Sequence, residues 1–409
     1  MPTPTALDID AIRAQLPITE RCAYFNTGWS GPLPDSVAEA MRTRLQLEAE
    51  RGPASREAFI EYLDLAQALR QRLADTVGAQ SEEIALTQNT TEGMNIVFNG
   101  LPWQRGDRIV TTTAEHSSGL IPCYYLQRRH GVDLSFVRTD ASDSPDEMLA
   151  KFDAAITPGT KLVAISHISY STGQTFPLAQ INALAHAAGA RVLVDAAQGL
   201  GHLPLNFRAD DVDYYAMAGH KWLMGPDGHG ALFIRRDLIA DLEPVVVAHS
   251  AADSLDFAGG GFHPASGSIA KFALTSTSTV LRAGMNAALA LYADAGRDAV
   301  WKRICSLAAY ASEQLVQVDR VRVCSPISAG DQCGLVAFQI EGLPSSRVAE
   351  YLEVQEGIVA RSVSEVDVVR MSTHYFNTEA EIDRAVAAVR RAAEEGIPGE
   401  ITGAPLWSR

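Results

Sequence analysis

The run "YYAMAGHKWLMGPDGHG" (residues 214–230) sets Lys221 at the end of an apolar stretch, just ahead of a glycine-rich turn. An ammonium withdrawn from water loses proton affinity, and the neutral amine is a nucleophile that can form a Schiff base. The alternative is a stem that snorkels past the turn to solvent. Twenty-six residues before Lys221, "VLVDAAQG" closes another apolar stretch with Asp195, and Gln198 follows. A carboxylate there needs a cationic or hydrogen-bonding partner, because an unpaired buried charge is costly, unless it simply caps a helix. Together, an anion and a lysine at neighbouring strand ends suit a ligand with a basic ring nitrogen and an aldehyde.

Two further stretches could serve the same ligand. "LTQNTTEGMNIVFNG" follows the strand-like "EIALTQ" and opens a helix, with Thr90, Thr91 and Gly93 at its N-terminus. Free N–H groups, hydroxyls and the helix dipole favour a phosphate there; Thr as a plain N-cap is the other reading. "TAEHSSG" places His116 at another strand end, where an imidazole either stacks on a flat ring or plays a structural part.

The elements that must position these residues are legible from periodicity. "DRIVTTTAE", "VDLSFVRTD", "KLVAISHIS", "ARVLVDAAQ", "VDYYAMAG" and "GALFIRRD" read as strands apolar on both faces. Helical stretches such as "LAQINALAHAAG", ending on a glycine, lie between them. The alternation predicts an α/β fold: a large domain with a mostly parallel sheet flanked by helices. The glycine-rich "DFAGGGFHPASGS" near residue 260 reads as a connector or a lid over a pocket. Beyond it the mix becomes α+β, with a last helix entered through the capping-box pattern "TEAE" at Thr378. The expected organisation is an N-terminal arm over residues 1–20 packing on the small domain, a large domain over 21–268 and a smaller C-terminal α+β domain over 269–409.

Composition narrows the function classes. The chain has 409 residues and a net charge of −15, so phosphate backbones are repelled and nucleic-acid binding is not expected. No apolar run approaches the ~18 residues that span a bilayer, so no membrane association is expected. The N-terminal segment lacks the pattern of a signal peptide, and a cytoplasmic protein is expected. The five cysteines (Cys22, Cys123, Cys305, Cys324, Cys333) show no metal-type spacing; they read as reduced structural thiols, and no metal site is expected.

In that chain order, the phosphate-site threonines, His116, Asp195 and Lys221 resemble one family. The sequence is similar to fold-type I, class V aminotransferase-type enzymes, which use pyridoxal 5′-phosphate, from "YFNTGWSGPLP" to the final helix. "DAAQ" followed by "HKW.MGP.G.G" carries most of the resemblance. It implies a Schiff-base Lys221, an Asp195 that keeps the pyridine nitrogen protonated, and a catalytic part for His116, stacked on the ring. Gln198 would contact the phenolic oxygen, and Thr90, Thr91, Gly93 and His220 would serve the phosphate. Tyr170, in "SHISYSTGQ", stands where many relatives have an asparagine near that oxygen, and Ala218 where many have a hydroxyl. The resemblance also implies a homodimer in which the partner completes the phosphate site, at the positions of Thr275 and Ser276.

The C-terminal part points to a branch. "VARSVSEVDVVRMSTHYFNTEAEI" matches the family's Arg-x-Ser-x-x-x-Tyr/Phe-Asn-Thr pattern, with Arg370 as the expected clamp on an amino-acid α-carboxylate. Arg361 either holds a second carboxylate or polar tail or lies on the surface; Trp29 and His374 either line the pocket or pack. Cysteine desulfurases of the family carry a persulfide-forming cysteine just before the clamp, whereas here "SVSEVDVV" separates the two arginines. The arrangement is most similar to the cysteine/cystine C–S lyases and implies β-elimination from a cysteine-type amino acid. Isopenicillin N epimerase-like enzymes share much of the framework, which keeps epimerisation or transamination as the alternative outcome.

Overall fold

The computed structural model describes residues 7–326 and 333–402. The chain begins with α1 (Ile9–Ala14) and β1 (Ala23–Tyr24), followed by α2 (Asp35–Arg51) and α3 (Arg56–Val77). Alternation then sets in: β2 (Ile84–Thr87), α4 (Thr90–Gly100), β3 (Arg108–Thr112), α5 (Ser117–His130) and β4 (Asp133–Val137). It continues through α6 (Pro145–Ala155), β5 (Thr160–Ser166), α7 (Leu178–Ala187), β6 (Arg191–Ala196), β7 (Tyr214–Ala218) and β8 (Gly230–Ile234).

These strands form one seven-stranded sheet in the order β2-β8-β7-β6-β5-β3-β4. Only β8 runs against the others, pairing antiparallel with both β2 and β7. Strands β5 to β8 are buried almost throughout, because helices cover both faces; this is why they lack polar alternation. Gly93 faces this sheet: a Cβ there would lie 3.0 Å from the Ala216 Cβ and 3.5 Å from that of Leu232. Its small size lets α4 lie close on β7 and β8.

The segment near residue 260 is a β-hairpin, β9 (Ala252–Asp256) with β10 (Gly261–Pro264), where the sequence reading expected a connector or lid. The Asp256 carboxylate closes its turn by accepting from Ala258 N and Gly259 N, and Gly260 supplies a left-handed φ of 72°. The hairpin is exposed, with Phe257 at its tip 92% accessible.

Helices α8 (Thr279–Ala295) and α9 (Arg297–Val316) lead to β11 (Val321–Val323), β12 (Leu335–Ile340) and α10 (Ser345–Val354). Then come β13 (Ile358–Val359), β14 (Arg361–Val363), β15 (Val368–Ser372) and α11 (Glu379–Glu395). The second sheet has the order β11-β12-β15-β14 and is antiparallel. The expected capping box opens α11, with Thr378 and Glu381 each accepting from the other's backbone N–H.

"GIVARSV", read as one strand, is divided: β13 pairs with β1, while β14 pairs with β15. Arg13 and Glu381 form an ion pair at 3.0 Å, and Ala23 and Phe25 join the core of the second sheet. The change of core falls inside α9, away from the expected boundary at 268–269. Met285, Ala288, Leu289, Val300 and Ile304 pack with the large sheet; Leu307, Ala308, Ala311 and Leu315 pack with the small one.

Candidate active site

At the carboxyl ends of β5, β6 and β7 lies a cavity of about 250 Å³. Its walls bring together Trp29, Thr90, Thr91, His116, Tyr170, Asp195, Gln198, His220, Lys221 and Arg361 from distant parts of the chain. Ligands of open α/β sheets sit in this position because loops diverge there and helix N-termini point inward.

The N-terminus of α4 forms one wall. Asn89 caps this helix, its Oδ1 accepting from Glu92 N at 2.9 Å, so Thr90 is not the cap. The Thr90 hydroxyl is left buried without a hydrogen-bond partner, as is Nδ1 of His220, which stands 3.7 Å from an Asp227 carboxylate oxygen, beyond hydrogen-bond reach. Buried polar groups are normally satisfied, so two orphans on one cavity indicate a ligand with acceptor or donor oxygens. A phosphate fits this pair and the helix dipole behind it.

Asp195 is the penultimate residue of β6 and accepts from Ala197 N at 3.0 Å; no helix starts there for it to cap. Lys221 follows β7 in a turn held from several sides. Gly31 N donates to His220 O at 2.7 Å, and His374 Nε2 lies 2.9 Å from Trp222 O. A Cβ on Gly31 would sit 2.3 Å from Lys221 O, so only glycine allows this loop so close to the lysine. Trp222 stacks on His202 at 3.7 Å and donates through Nε1 to Gln198 Oε1 at 2.7 Å. Loss of water brings the Lys221 pKa down to about 8; Asp195 opposes the shift, and Arg370 and Arg361 add to it. About a tenth of the amine is then unprotonated at pH 7, far more than for an ordinary lysine.

His116 is the N-cap of α5. Its Nδ1 accepts from Ser118 N at 3.2 Å, so in the neutral ring the proton sits on Nε2. Burial lowers its pKa, and the ring meets Tyr170 edge-on with 5.0 Å between centroids. Gln198 donates through Nε2 to Gly28 O at 2.9 Å, which leaves its second amide hydrogen for another acceptor.

Arg361 forms the opposite wall, and Arg370 lies behind it. Arg361 and Arg370 are direct cross-strand partners on β14 and β15. Arg361 lies at the cavity with its guanidinium 4.9 Å from the Trp29 ring centroid. Arg370 lies deeper, only 1% exposed, and does not border the cavity. It donates through Nη1 to Tyr170 O, while Nε and Nη2 are buried with no partner. Burial, reinforced by Arg361, lowers its pKa to about 9. Like charges directly opposite on paired strands repel, and a buried guanidinium with two free nitrogens requires an anion.

Four further candidate residues lie elsewhere. Gly93 packs under α4 against the sheet, away from the cavity. His374 is buried beneath Trp222 as packing, its Nε2 turned to the Trp222 carbonyl. Ser276, with φ of 57°, and Thr275 line a second cavity of about 390 Å³ beside Arg70, His229 and Arg282. Conversely, Asn89, Ser118 and Ser166 line the first cavity without having been singled out. Their positions at strand ends and helix N-termini were the signal available.

Comparison with known proteins agrees with this geometry. The family model for class-V aminotransferases matches residues 24–385. A probable cysteine desulfurase 2 of Mycobacterium leprae (strain TN) is 31% identical over 95% of this chain and 98% of its own length. Among solved structures, C-DES, a cystine C–S lyase in complex with its reaction product cysteine persulfide, is 32% identical, with a TM-score of 0.86, over 93% of this chain and 99% of its own. A C-DES mutant with glycine covalently linked to the PLP cofactor matches equally, at the same identity, coverage and TM-score. On sequence and fold alike, the chain belongs to the class-V aminotransferase family.

Proposed function

We propose that the protein is a pyridoxal-5′-phosphate-dependent carbon–sulfur β-lyase acting on a cysteine-type amino acid, cystine or an S-conjugate. Water is consumed, and pyruvate, ammonia and a thiol (a persulfide from cystine) are released. The observation that carries this reading is one cavity with a depressed lysine beside a carboxylate, faced by Arg361 with its buried cross-strand partner Arg370 behind it, neither in an ion pair among the described residues. When bound, the cofactor supplies an aldehyde for amino groups and a ring that accepts electrons from Cα.

The residues present fit that group. Thr90, Thr91 and His220 would hold its phosphate, Asp195 would keep a proton on its ring nitrogen, and His116, Gln198 and Tyr170 would support the ring. Lys221 Nζ would attach the cofactor's aldehyde and, when free, would serve as the base for the proton on the substrate Cα. Arg370 holds the α-carboxylate through its two free nitrogens. Arg361 holds a second carboxylate, which favours cystine over cysteine. The sulfur leaves with the C–S bonding electrons.

The thiols support a lyase over an enzyme that stores sulfur on its own cysteine. Burial pushes Cys22 up to about 11 and Cys123, Cys305 and Cys333 up to about 12, and it raises Cys324 as well. A thiol held in its neutral form is a poor nucleophile. Cys333 Sγ is also engaged, donating to Gly173 O at 3.1 Å.

A cytoplasmic homodimer belongs to this reading. Ser276 and Thr275 stand apart from the Lys221 cavity of their own chain, so a phosphate contact from them requires a second copy. Among the described residues no helix is long and apolar enough to cross a membrane. The test is pyruvate release from cystine and S-conjugates by purified protein supplied with the cofactor. No pyruvate, with solvent deuterium at Cα of recovered amino acid or amino transfer to a 2-oxo acid, would replace the lyase by an epimerase or aminotransferase.

A further inference from the structure

A second buried carboxyl lies beside the site and has no part in the roles above. Glu115 directly precedes His116 in the turn between β3 and α5. Its Oε1 accepts from Thr112 Oγ1 at 2.6 Å, and its Oε2 accepts from Ser166 Oγ at 2.5 Å. Thr112 ends β3 and Ser166 ends the adjacent β5, so one side chain ties two strand ends together. Ser166 itself borders the cavity and is the register partner of Asp195 on β6. Thr112, Glu115, Ser166 and Asp195 thus form a line across three neighbouring strand ends, with two carboxyl groups in it.

A purely mechanical strut would not need an acid there; an amide reaches the same two hydroxyls. An acid adds a charge that can be present or absent. Burial lifts the Glu115 carboxyl up to about 7; the Ser166 and Thr112 hydroxyls pull it down and Asp195 pushes it further up. The other titratable groups around it are His116 and, on α5, Cys123, whose thiol Glu115 helps to raise. A proton on Glu115 decides whether a second negative charge stands in this poorly hydrated floor near Asp195.

We propose that Glu115 is a positioning residue that braces His116 and Asp195 through Thr112 and Ser166, and whose own charge tunes Asp195. The ring-nitrogen end of the site is then a two-carboxyl system rather than a lone aspartate. The cofactor-dependent half of this inference rests on the pyridoxal-phosphate reading.

The experiment compares wild type with E115Q, E115D and E115A. In cofactor-loaded protein without substrate, the visible absorbance is titrated through neutral pH. E115Q should shift the midpoint by about one unit, and E115D, which keeps the charge, should lie closer to wild type. In cofactor-free protein, infrared difference spectra across the same range should show a protonated-carboxyl band that is lost on passing neutrality and is missing in E115Q. A wild-type midpoint and band in E115Q, with only a loss of thermal stability in E115A, would reduce Glu115 to a strut and overturn the proposal. Wild type that takes up no pyridoxal phosphate would instead sink the functional reading, and the infrared band would still decide whether Glu115 holds the proton.

Discussion

The two walls of the cavity handle charge in opposite ways. On the large-sheet wall, Asp195 and Lys221 are of opposite sign and offset each other, and among its described residues only the neutral Thr90 hydroxyl and His220 Nδ1 are left without partners. On the small-sheet wall, Arg361 and Arg370 are of the same sign, directly opposite in register, with two nitrogens of Arg370 buried and unpaired. That wall becomes complete only when an anion arrives. The difference separates two tasks: the first wall defines the chemistry, and the second selects what the chemistry is done to.

The most severe way to break the first wall is Lys221→Ala. It should remove the visible absorbance of bound cofactor and lower kcat by about 10³-fold or more, since both nucleophile and base are lost. Retained absorbance at wild-type wavelength would show that this lysine does not attach the aldehyde.

Arg370→Met should lower kcat/KM by about 10²- to 10³-fold through loss of the carboxylate grip. The same change should leave the ligand-free protein as stable or raise its stability by about 1–4 kcal/mol, because an uncompensated buried charge disappears. A large fall in melting temperature without substrate would mean that the arginine is already satisfied and that the contrast between the walls is wrong.

The charge on the first wall also has a pH signature. Below about 8 Lys221 is charged in the folded and unfolded chain alike, and its burial penalty is fully present. Between about 8 and the ordinary lysine value of 10.5 the unfolded chain keeps the proton that the folded one has lost, so stability rises with pH. Cofactor-free wild type should therefore gain stability across that window relative to Lys221→Met, measured by denaturant unfolding at a series of pH values; parallel curves would contradict the depressed lysine.

Arg361→Gln sharpens the second wall. It should reduce kcat/KM for cystine about tenfold more than for a conjugate with a neutral tail, because only a second carboxylate uses that guanidinium. Equal losses for both substrates would reassign Arg361 to the α-carboxylate or to packing on Trp29. The smallest effect is expected from Cys324→Ser, which should leave pyruvate release within about twofold of wild type.

Much of the first wall could be read from the chain, because strand ends in an α/β alternation are local features. Lys221, Asp195, His116 and Thr90 each close a strand or open a helix, and the rule for where ligands bind such sheets does the rest. The second wall was less legible. The two arginines are readable as a pair of cations, but their direct opposition depends on β14 and β15 pairing antiparallel. Nor could sequence alone show that "GIVARSV" divides between two sheets, since the partner of β13 is the distant β1. His374 reads as equally suited to a pocket or to packing, and only the position of Trp222 decides. Glu115 was passed over because an acid at the start of a helix is ordinarily an exposed dipole partner.

Sequence by itself determined the order and type of the elements and the identity of the groups at their ends. Periodicity and residue chemistry are properties of short segments, and they survive without the fold. Tertiary structure decided which charges face each other, which polar atoms are left without partners, and that Ser276 stands outside its own chain's cavity. Those depend on register, burial and loss of water, and none of the three exists until segments far apart in the chain have packed together.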